Sequence, residues 1–287
     1  MSNFLKDKQR QPKLYIELPS LGRFYDGSIV QDQQYTQLPV FGMNAMDEIL
    51  LKTPDALFTG EATVQIIKSC IPAIINPWML VGYDIDHVLL SIRVATYGDK
   101  MPITSKCPKC SSETGMDVNL GKVLETFLDL PTNDHIIVDD LKILLKPLSY
   151  KQMTEFSHRQ YVFDKQLVQI AQSKDENKDK LQQDVLAQLT NLNLEVAISY
   201  ITSIQDTTST EEEQDLNAIK EFILSNDAQF FNSLVDKVKE MSNVWSLPQF
   251  NITCNEDGCG TEWKTALRVD YSSFFGTNSF RSRNLTL

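Results

Sequence analysis

The sequence reads Cys107-Pro-Lys-Cys110 in its first half and Cys254-Asn-Glu-Asp-Gly-Cys259 in its second half. Each stretch places two sulfurs on one tight turn, and the short spacing within each pair suits ligands of a single tetrahedral ion. Thiolates are soft ligands, so four of them favour zinc over magnesium or calcium. We therefore predict one structural zinc ion (Zn2+) per chain, bound by Cys107, Cys110, Cys254 and Cys259.

An alternating apolar pattern follows each cysteine pair, as a strand with one buried face requires. The apolar positions are Met116, Val118 and Leu120 after the first pair, and Trp263, Thr265, Leu267 and Val269 after the second. Two cysteine turns that each lead into a strand predict a zinc ribbon. The chain between the two turns then becomes an insertion within that ribbon.

Two other interpretations of the cysteines remain open. A redox dithiol at Cys107 and Cys110 would be expected at the start of a helix, but a polar Ser-Ser-Glu-Thr-Gly turn follows Cys110 instead. The two pairs could also be unrelated to each other. A catalytic zinc is disfavoured because four sulfurs leave no coordination position for water. Metal stoichiometry would separate the redox interpretation, which requires a metal-free cysteine pair, from a shared zinc site.

The charge balance bears on the class of partner. The chain has 27 Lys and Arg against 38 Asp and Glu, a formal net charge of -11, so broad attraction to nucleic acid is not expected. A zinc-ribbon nucleic-acid-binding adaptor is nevertheless the alternative function, because Lys106, Lys109, Lys264 and Arg268 lie beside the cysteines. Salt-sensitive DNA or RNA binding would support that alternative.

No apolar stretch approaches the roughly 20 residues of a transmembrane helix, so no membrane partner is expected. The segment from Ser2 to Arg10 lacks the apolar centre of a signal peptide, which predicts a protein that stays in the cytoplasm. In that compartment, five cysteines favour reduced thiols or metal ligands over disulfides. The fifth, Cys70, shares a helical face with Ile66 and Ile67 and is expected to be buried.

The first part of the chain predicts a mixed strand and helix domain. Residues 1–13 are polar and mildly basic and are expected to form a flexible arm. Residues 14–104 are predicted to form an N-terminal α+β domain, with short strands and turns first and helices after Asn44. In the last of these helices, we expect His87 and Arg93 to lie outside the core.

The remaining chain completes an α+β fold class. Residues 105–148 and 245–287 are assigned to the zinc ribbon and its associated strands, including two strands joined by a tight Asp139-Asp140 turn. Residues 149–244 are predicted to be a large, almost wholly helical insertion, opened by a capping box from Ser149 to Gln152. The acidic stretch 206–214 is interpreted as a solvated connection.

No sequence motif of an enzyme is present. The chain lacks GxxxxGK[ST], GxGxxG after a strand, HExxH and GxSxG, so the usual phosphate-binding loops and activated nucleophiles are absent. The three histidines, His87, His135 and His158, are expected to be structural. We therefore predict a binding or assembly protein with no catalytic residue and no small-molecule substrate.

Several segments in order resemble a known family: Leu18-Pro-Ser-Leu-Gly-Arg-Phe-Tyr25, the stretch from Asn44 to Phe58, Leu80-Val-Gly-Tyr-Asp84, the stretch from Leu89 to Gly98, and the first cysteine pair. Over residues 14–120 the chain resembles the T4-like bacteriophage baseplate hub assembly proteins. The resemblance implies a non-enzymatic phage tail protein that acts in assembly of the contractile-tail baseplate hub, either as a chaperone or as a hub subunit.

The same resemblance implies phage baseplate hub proteins as partners, with the host bacterial cytoplasm and the virion tail baseplate as locations. It supplies no catalytic residue. The resemblance is not traced through the helical insertion, so the role of that segment is argued from architecture. A long helical segment held at both ends by a metal-bound ribbon is expected to hold a partner subunit.

Overall fold

The protein is described here by a computed structural model that covers residues 9–25, 27, 29–52, 59–127, 134–173, 177–246, 249–266 and 280–281. The chain is α+β and divides into two compact units. The first unit combines residues 1–130 with 247–287, and the second unit comprises residues 131–246.

The first unit begins with a short antiparallel pair, β1 (Leu14–Ile16) and β2 (Leu38–Val40). Three helices follow: α1 (Ala45–Leu50), α2 (Glu61–Cys70) and α3 (Gly82–Tyr97). Single 3-10 turns lie at Gln31–Gln33 and Pro77–Met79. Asn44 begins α1 with a capping box, as its side chain predicts.

Helix α3 lies in the core of this part of the unit, in contact with β1, β2 and α2. The expectation that His87 and Arg93 face solvent is wrong, since they are only 4% and 8% exposed. The reason is that neighbouring elements pack around most of the helix, and the ring of Phe127 meets His87 edge-on. A helix that is covered on several sides has no solvent-exposed polar face, so its sequence periodicity cannot predict which residues are exposed.

A buried polar cluster attaches the segment from Leu18 to Tyr25 to the first turn of α3. The fully buried Asp84 carboxylate accepts hydrogen bonds from the backbone N–H of Ser20 at 2.9 Å and from the hydroxyls of Ser20 and Tyr25. The Tyr25 hydroxyl in turn accepts from the backbone N–H of Val81 at 3.0 Å. Burial raises the pKa of Asp84 to about 6, against the lowering effect of these hydrogen bonds.

The prediction of a flexible arm over residues 1–13 falls partly outside the described residues. Of the described part, Arg10 donates a hydrogen bond to the carbonyl of Gly42 at 2.9 Å and lies 3.6 Å from the Asp47 carboxylate. Its guanidinium also lies over the ring of Phe41. The Arg10 side chain therefore packs against other residues of the first unit.

Two β-hairpins complete the first unit. Strands β3 (Lys100–Lys106) and β4 (Glu113–Asn119) pair antiparallel and lead into helix α4 (Leu120–Thr126). Met116 and Val118 alternate with exposed residues, as the sequence predicts, whereas the buried Leu120 already begins α4.

The second hairpin pairs strands β9 (Gln249–Thr253) and β10 (Glu262–Ala266). A two-residue strand, β11 (Phe280–Arg281), pairs in parallel with β3. Leu267 and Val269, predicted to continue the apolar face of β10, lie outside the described residues.

The second unit is a four-stranded antiparallel sheet with helices. The strand order is β5 (His135–Val138), β6 (Leu141–Leu145), β7 (Ile201–Asp206) and β8 (Glu212–Glu213). The helices are α5 (Tyr150–Gln172), α6 (Lys178–Ser199), α7 (Leu216–Ser225) and α8 (Ala228–Val244). The Asp139-Asp140 turn and the capping box at Ser149 form as predicted.

The prediction of an almost wholly helical segment from 149 to 244 is wrong at residues 201–206 and 212–213, which form β7 and β8. β7 pairs with β6 along most of its length, from Leu141 opposite Asp206 to Leu145 opposite Ile201. This pairing places β5 and β6 in the second unit, whereas we had expected them to associate with the ribbon. Among the described residues, no helix is long and apolar enough to cross a lipid bilayer.

Candidate metal centre

The two cysteine pairs lie at the tips of the two hairpins. Cys107 directly follows β3 and Cys110 precedes β4, while Cys254 directly follows β9 and Cys259 precedes β10. A hairpin tip is the place where a chain reverses between paired strands. The hydrogen-bonded strands of each hairpin therefore fix the position of its pair of sulfurs. The sequence predicted the strand after each turn but not the strand before it.

The structure brings all four sulfurs together. The four Sγ atoms lie within 4.8 Å of one another, and among the described residues they form the only converging group of three or more potential metal ligands from His, Cys, Asp or Glu. Cys107 Sγ is 3.8 Å from Cys259 Sγ, and Cys110 Sγ is 3.5 Å from Cys254 Sγ. Both close contacts therefore join one turn to the other.

These separations fit ligands of a tetrahedral ion. Metal–sulfur bonds of about 2.3 Å imply sulfur–sulfur edges of about 3.8 Å in a regular tetrahedron. A disulfide would require about 2.05 Å, and all four cysteines are free thiols. The group can therefore hold one metal ion with four sulfur ligands.

The two turns share a backbone arrangement despite their different lengths. The N–H of Cys107 donates to the carbonyl of Ser112, and the N–H of Cys254 donates to the carbonyl of Thr261, both at 2.9 Å. In each turn, the residue after the second cysteine is left-handed, with φ of 59° at Ser111 and 54° at Gly260. In both turns, therefore, the backbone N–H of the first cysteine is hydrogen-bonded to the carbonyl of the residue that lies two positions after the second cysteine.

A hydroxyl group occupies the closing position of the first turn. The Ser112 Oγ lies 3.0 Å from Cys110 Sγ and 3.3 Å from Cys254 Sγ, so it reaches a thiol of each turn. Its hydrogen bond, together with the backbone N–H of Glu256, lowers the pKa of the Cys254 thiol to about 6. A thiol with a lowered pKa is more readily the thiolate that a metal ion requires.

The second turn repeats this feature. Thr261 Oγ1 lies 3.3 Å from Cys259 Sγ. Hydrogen bonds from the Thr261 hydroxyl and backbone N–H lower the pKa of the Cys259 thiol. Sequence reasoning missed both hydroxyls, although the signal was present, because Ser112 and Thr261 each lie two residues after the second cysteine of a pair.

The sulfurs differ in their exposure to solvent. Cys107 and Cys254 are buried, Cys259 is half-buried and Cys110 is exposed. Behind the turns, the indole Nε1 of Trp263 on β10 donates to Ser105 Oγ on β3 at 3.1 Å. This bond joins the two hairpins and gives a specific role to Trp263, which the sequence predicted only as an apolar strand residue.

The remaining cysteine and the histidines do not belong to the converging group found among the described residues. Cys70 is fully buried, as predicted, with its sulfur 3.9 Å from Asp47 Oδ2. Burial lowers the pKa of His87 to about 4, so its imidazole is neutral near pH 7. His135 lies 3.4 Å from the neighbouring Asp134 carboxylate, and His158 is exposed on α5.

The basic residues proposed for a nucleic-acid surface flank the hairpin tips. Lys106, Lys109 and Lys264 are exposed, whereas Arg268 lies outside the described residues. The exposed acids Glu113 and Glu262 begin the strands that follow the two turns. The surface near the cysteines is therefore mixed in charge.

Comparison with known proteins gives one result. The sequence matches, over residues 39–276, the family model described as T4 bacteriophage base plate protein. This match spans well over half of the 287-residue chain and includes all four converging cysteines. No curated protein and no solved structure gives a significant match.

Proposed function

The chain belongs to the T4 bacteriophage base plate protein family and so has a structural role in a phage tail baseplate, and from this membership we propose that it acts in assembly of the baseplate hub. It would do so either as a chaperone that leaves the finished particle or as a subunit that remains in it. The single observation that carries this proposal is the family match over residues 39–276. The ordered motifs between Leu18 and Cys110 support the hub in particular.

We propose that the ion held by the four cysteines is zinc. Four cysteine sulfurs, all within 4.8 Å of one another, are the donor set that zinc prefers in structural sites. Cys107, Cys110, Cys254 and Cys259 would be its ligands, with Ser112 and Thr261 donating hydrogen bonds to the thiolates. The ion would tie together two hairpins that are far apart in the sequence, and it would contribute directly to the stability of the first unit.

The proposed role needs no catalysis. A four-sulfur shell leaves no position on the ion for a reacting water or substrate. The partners would be other phage baseplate proteins, bound during assembly in the host cytoplasm and, for a hub subunit, retained in the virion tail. A protein of this kind acts through its surfaces, and each of the two compact units can supply binding surface.

The test is complementation in bacteria infected by a phage that lacks the native gene. The wild-type protein should restore contractile tails and should co-purify with baseplate hub proteins. A Cys254→Ser variant should restore fewer tails, because the proposed zinc site would be open. Mass spectrometry of mature virions then separates a hub subunit, which is present in the particle, from a chaperone, which is present only in assembly complexes.

Two results would contradict the proposal. One is normal baseplates in the absence of the gene, which would leave the protein no essential assembly role. The other is a purified protein that binds DNA or RNA in a salt-sensitive manner and brings down no hub protein. That second result would favour the zinc-ribbon nucleic-acid-binding adaptor.

A further inference from the structure

The second unit has a groove with an apolar floor between its sheet and helix α7. The floor is formed by Leu141 on β6, Ile204 on β7, and Ile219 and Phe222 on α7. The groove has a volume of about 660 Å³, which is large enough for one or two bulky side chains of a bound segment. Phe222 keeps 38% of its surface exposed there, although its ring also meets Phe230 edge-on.

Carboxylates surround this apolar floor. Asp206, Glu211, Glu212 and Glu213 line the groove, and no Lys or Arg is found among its described lining residues. In the described part of the chain, none of the four forms a salt bridge. We call this feature, with its floor and its four carboxylates, the acidic groove. It includes all four acidic residues of the stretch 206–214, which the sequence suggested was only a solvated connection.

Local hydrogen bonds favour the ionised form of two of these carboxylates, those of Asp206 and Glu212. Asp206 Oδ1 accepts from the backbone N–H of Thr208 at 2.7 Å, and hydrogen bonds from Thr208 lower the pKa of Asp206. Hydrogen bonds from the side chains of Ser203 and Gln205 likewise lower the pKa of Glu212. These two carboxylates are therefore negatively charged at neutral pH.

The sheet ends at the acidic groove. β8 is the terminal strand in the order β5-β6-β7-β8, and it contains only Glu212 and Glu213. Such an edge offers backbone donors and acceptors to an incoming chain. Two acidic residues at the edge disfavour pairing with another acidic strand and favour a basic one, because like charges repel at close distance.

We propose that the acidic groove binds a short segment of another baseplate protein in which Lys or Arg residues flank an aromatic or branched aliphatic residue. The apolar side chain would pack against the exposed surface of Phe222 and Leu141, above the buried Ile204 and Ile219. The basic side chains would meet the carboxylates of Asp206, Glu211, Glu212 and Glu213. Charge complementarity selects this occupant over a neutral or acidic segment. The inference rests on the proposed function, which supplies the class of partner.

The test begins with selection of random short peptides on the full-length protein. Enriched peptides should carry a net positive charge and at least one aromatic or branched aliphatic residue. Their affinity, measured by fluorescence anisotropy, should fall about tenfold or more in a Glu211→Lys, Glu212→Lys variant. It should also fall as the salt concentration rises. The matched control is Asp164→Lys, Asp184→Lys, which makes the same charge change on exposed positions of α5 and α6 and should bind as the wild type does.

A second variant keeps every carboxylate. Ala218 also lines the acidic groove and is half-buried, so Ala218→Gln should fill part of the space while remaining compatible with the helix. Peptide affinity should fall in this variant as well. Enriched peptides without basic residues, or affinities unchanged by both groove variants, would overturn the proposal. Peptides that reproduce this chain's own sequence would assign the acidic groove to a second copy and overturn the choice of partner.

Complementation separates this proposal from the proposed function. The Glu211→Lys, Glu212→Lys variant should restore fewer contractile tails than the Asp164→Lys, Asp184→Lys control at equal soluble abundance. Normal tails with the groove variant would reject the acidic groove while leaving the hub role intact. Normal tails without the gene would reject the hub role itself.

Discussion

At the scale of single residues, the candidate metal centre depends on backbone geometry as much as on sulfur. The four cysteines could be predicted from their spacing, because two close pairs suit one tetrahedral ion. The backbone geometry that the two turns share could not be predicted from the sequence, because one cysteine pair encloses two residues and the other encloses four. Only the folded turns show that Ser111 and Gly260 occupy the same left-handed position.

The left-handed position at Gly260 gives a prediction about stability. Gly260→Ala should lower the free energy of unfolding of the metal-loaded protein by about 1 kcal/mol, because a side chain disfavours φ of 54°. An added Cβ meets no atom within 4 Å, so the cost is conformational rather than steric. Chemical denaturation of both proteins at saturating zinc would measure it.

Gly115 provides the matched control for that substitution. It lies in β4, outside the left-handed region, and an added Cβ would make only an ordinary contact with the carbonyl of Ile103 at 3.8 Å. Gly115→Ala should therefore leave stability unchanged or raise it slightly. Equal losses in the two variants would mean that backbone conformation at Gly260 is not the cause.

At the scale of elements, the sequence was most informative where local chemistry decides the structure. The capping boxes at Asn44 and Ser149 and the Asp139-Asp140 turn all form as predicted. The helical prediction failed at Ile201–Asp206 because Leu189, Leu192 and Val196 have helical spacing and Ile201 was included in the same apolar pattern. Pairing with β6, a contact distant in sequence, makes the segment a strand instead.

The attachment of the segment Leu18–Tyr25 to α3 was also invisible in the sequence. Ser20 and Tyr25 are separated from Asp84 by 64 and 59 residues, and neither local periodicity nor turn propensity links them. In the structure, the segment Leu18–Tyr25 and the first turn of α3 form one buried hydrogen-bonded cluster around the Asp84 carboxylate.

That cluster gives a prediction about pH. The folded-state pKa of Asp84 is raised from 3.8 to about 6, so its contribution to stability is fully present below about pH 4 and is lost as the pH rises through 6. Between pH 4 and pH 7, the free energy of unfolding of the wild type should fall by about 2 kcal/mol relative to that of Asp84→Asn. Chemical denaturation of both proteins in the same buffers at each pH would measure this difference. Loss of metal at low pH affects both proteins and cancels, and a constant difference across this range would contradict the prediction.

At the scale of the whole molecule, one compact unit is inserted into the sequence of another. The sequence predicted an insertion between the cysteine pairs, and it placed the start of that insertion at residue 149. The compact second unit begins at residue 131, because β5 pairs with β6 and β6 pairs with β7, and neither pairs with the cysteine hairpins. Strand partners of this kind depend on tertiary pairing, which composition and periodicity do not encode.

The division into units predicts that the metal centre survives removal of the second unit. All four cysteines belong to the first unit, so replacing residues 131–246 with a flexible Gly/Ser linker should preserve one zinc per chain. The shortened protein should no longer restore contractile tails, because the acidic groove is removed. The same deletion carrying Cys254→Ser provides the metal-free control. A soluble shortened protein without zinc would show that the metal centre depends on the second unit.

The most direct test is the zinc content of freshly purified, reduced protein, measured by native mass spectrometry together with elemental analysis. The wild type and the Cys70→Ala variant should each carry one zinc per chain, since the buried Cys70 is not among the four converging sulfurs. Cys110→Ser and Cys254→Ser should lose zinc equally, because each opens the same four-thiolate shell. A wild-type protein without metal, or a Cys254→Ser protein that retains full zinc, would contradict a single site shared by the two hairpins.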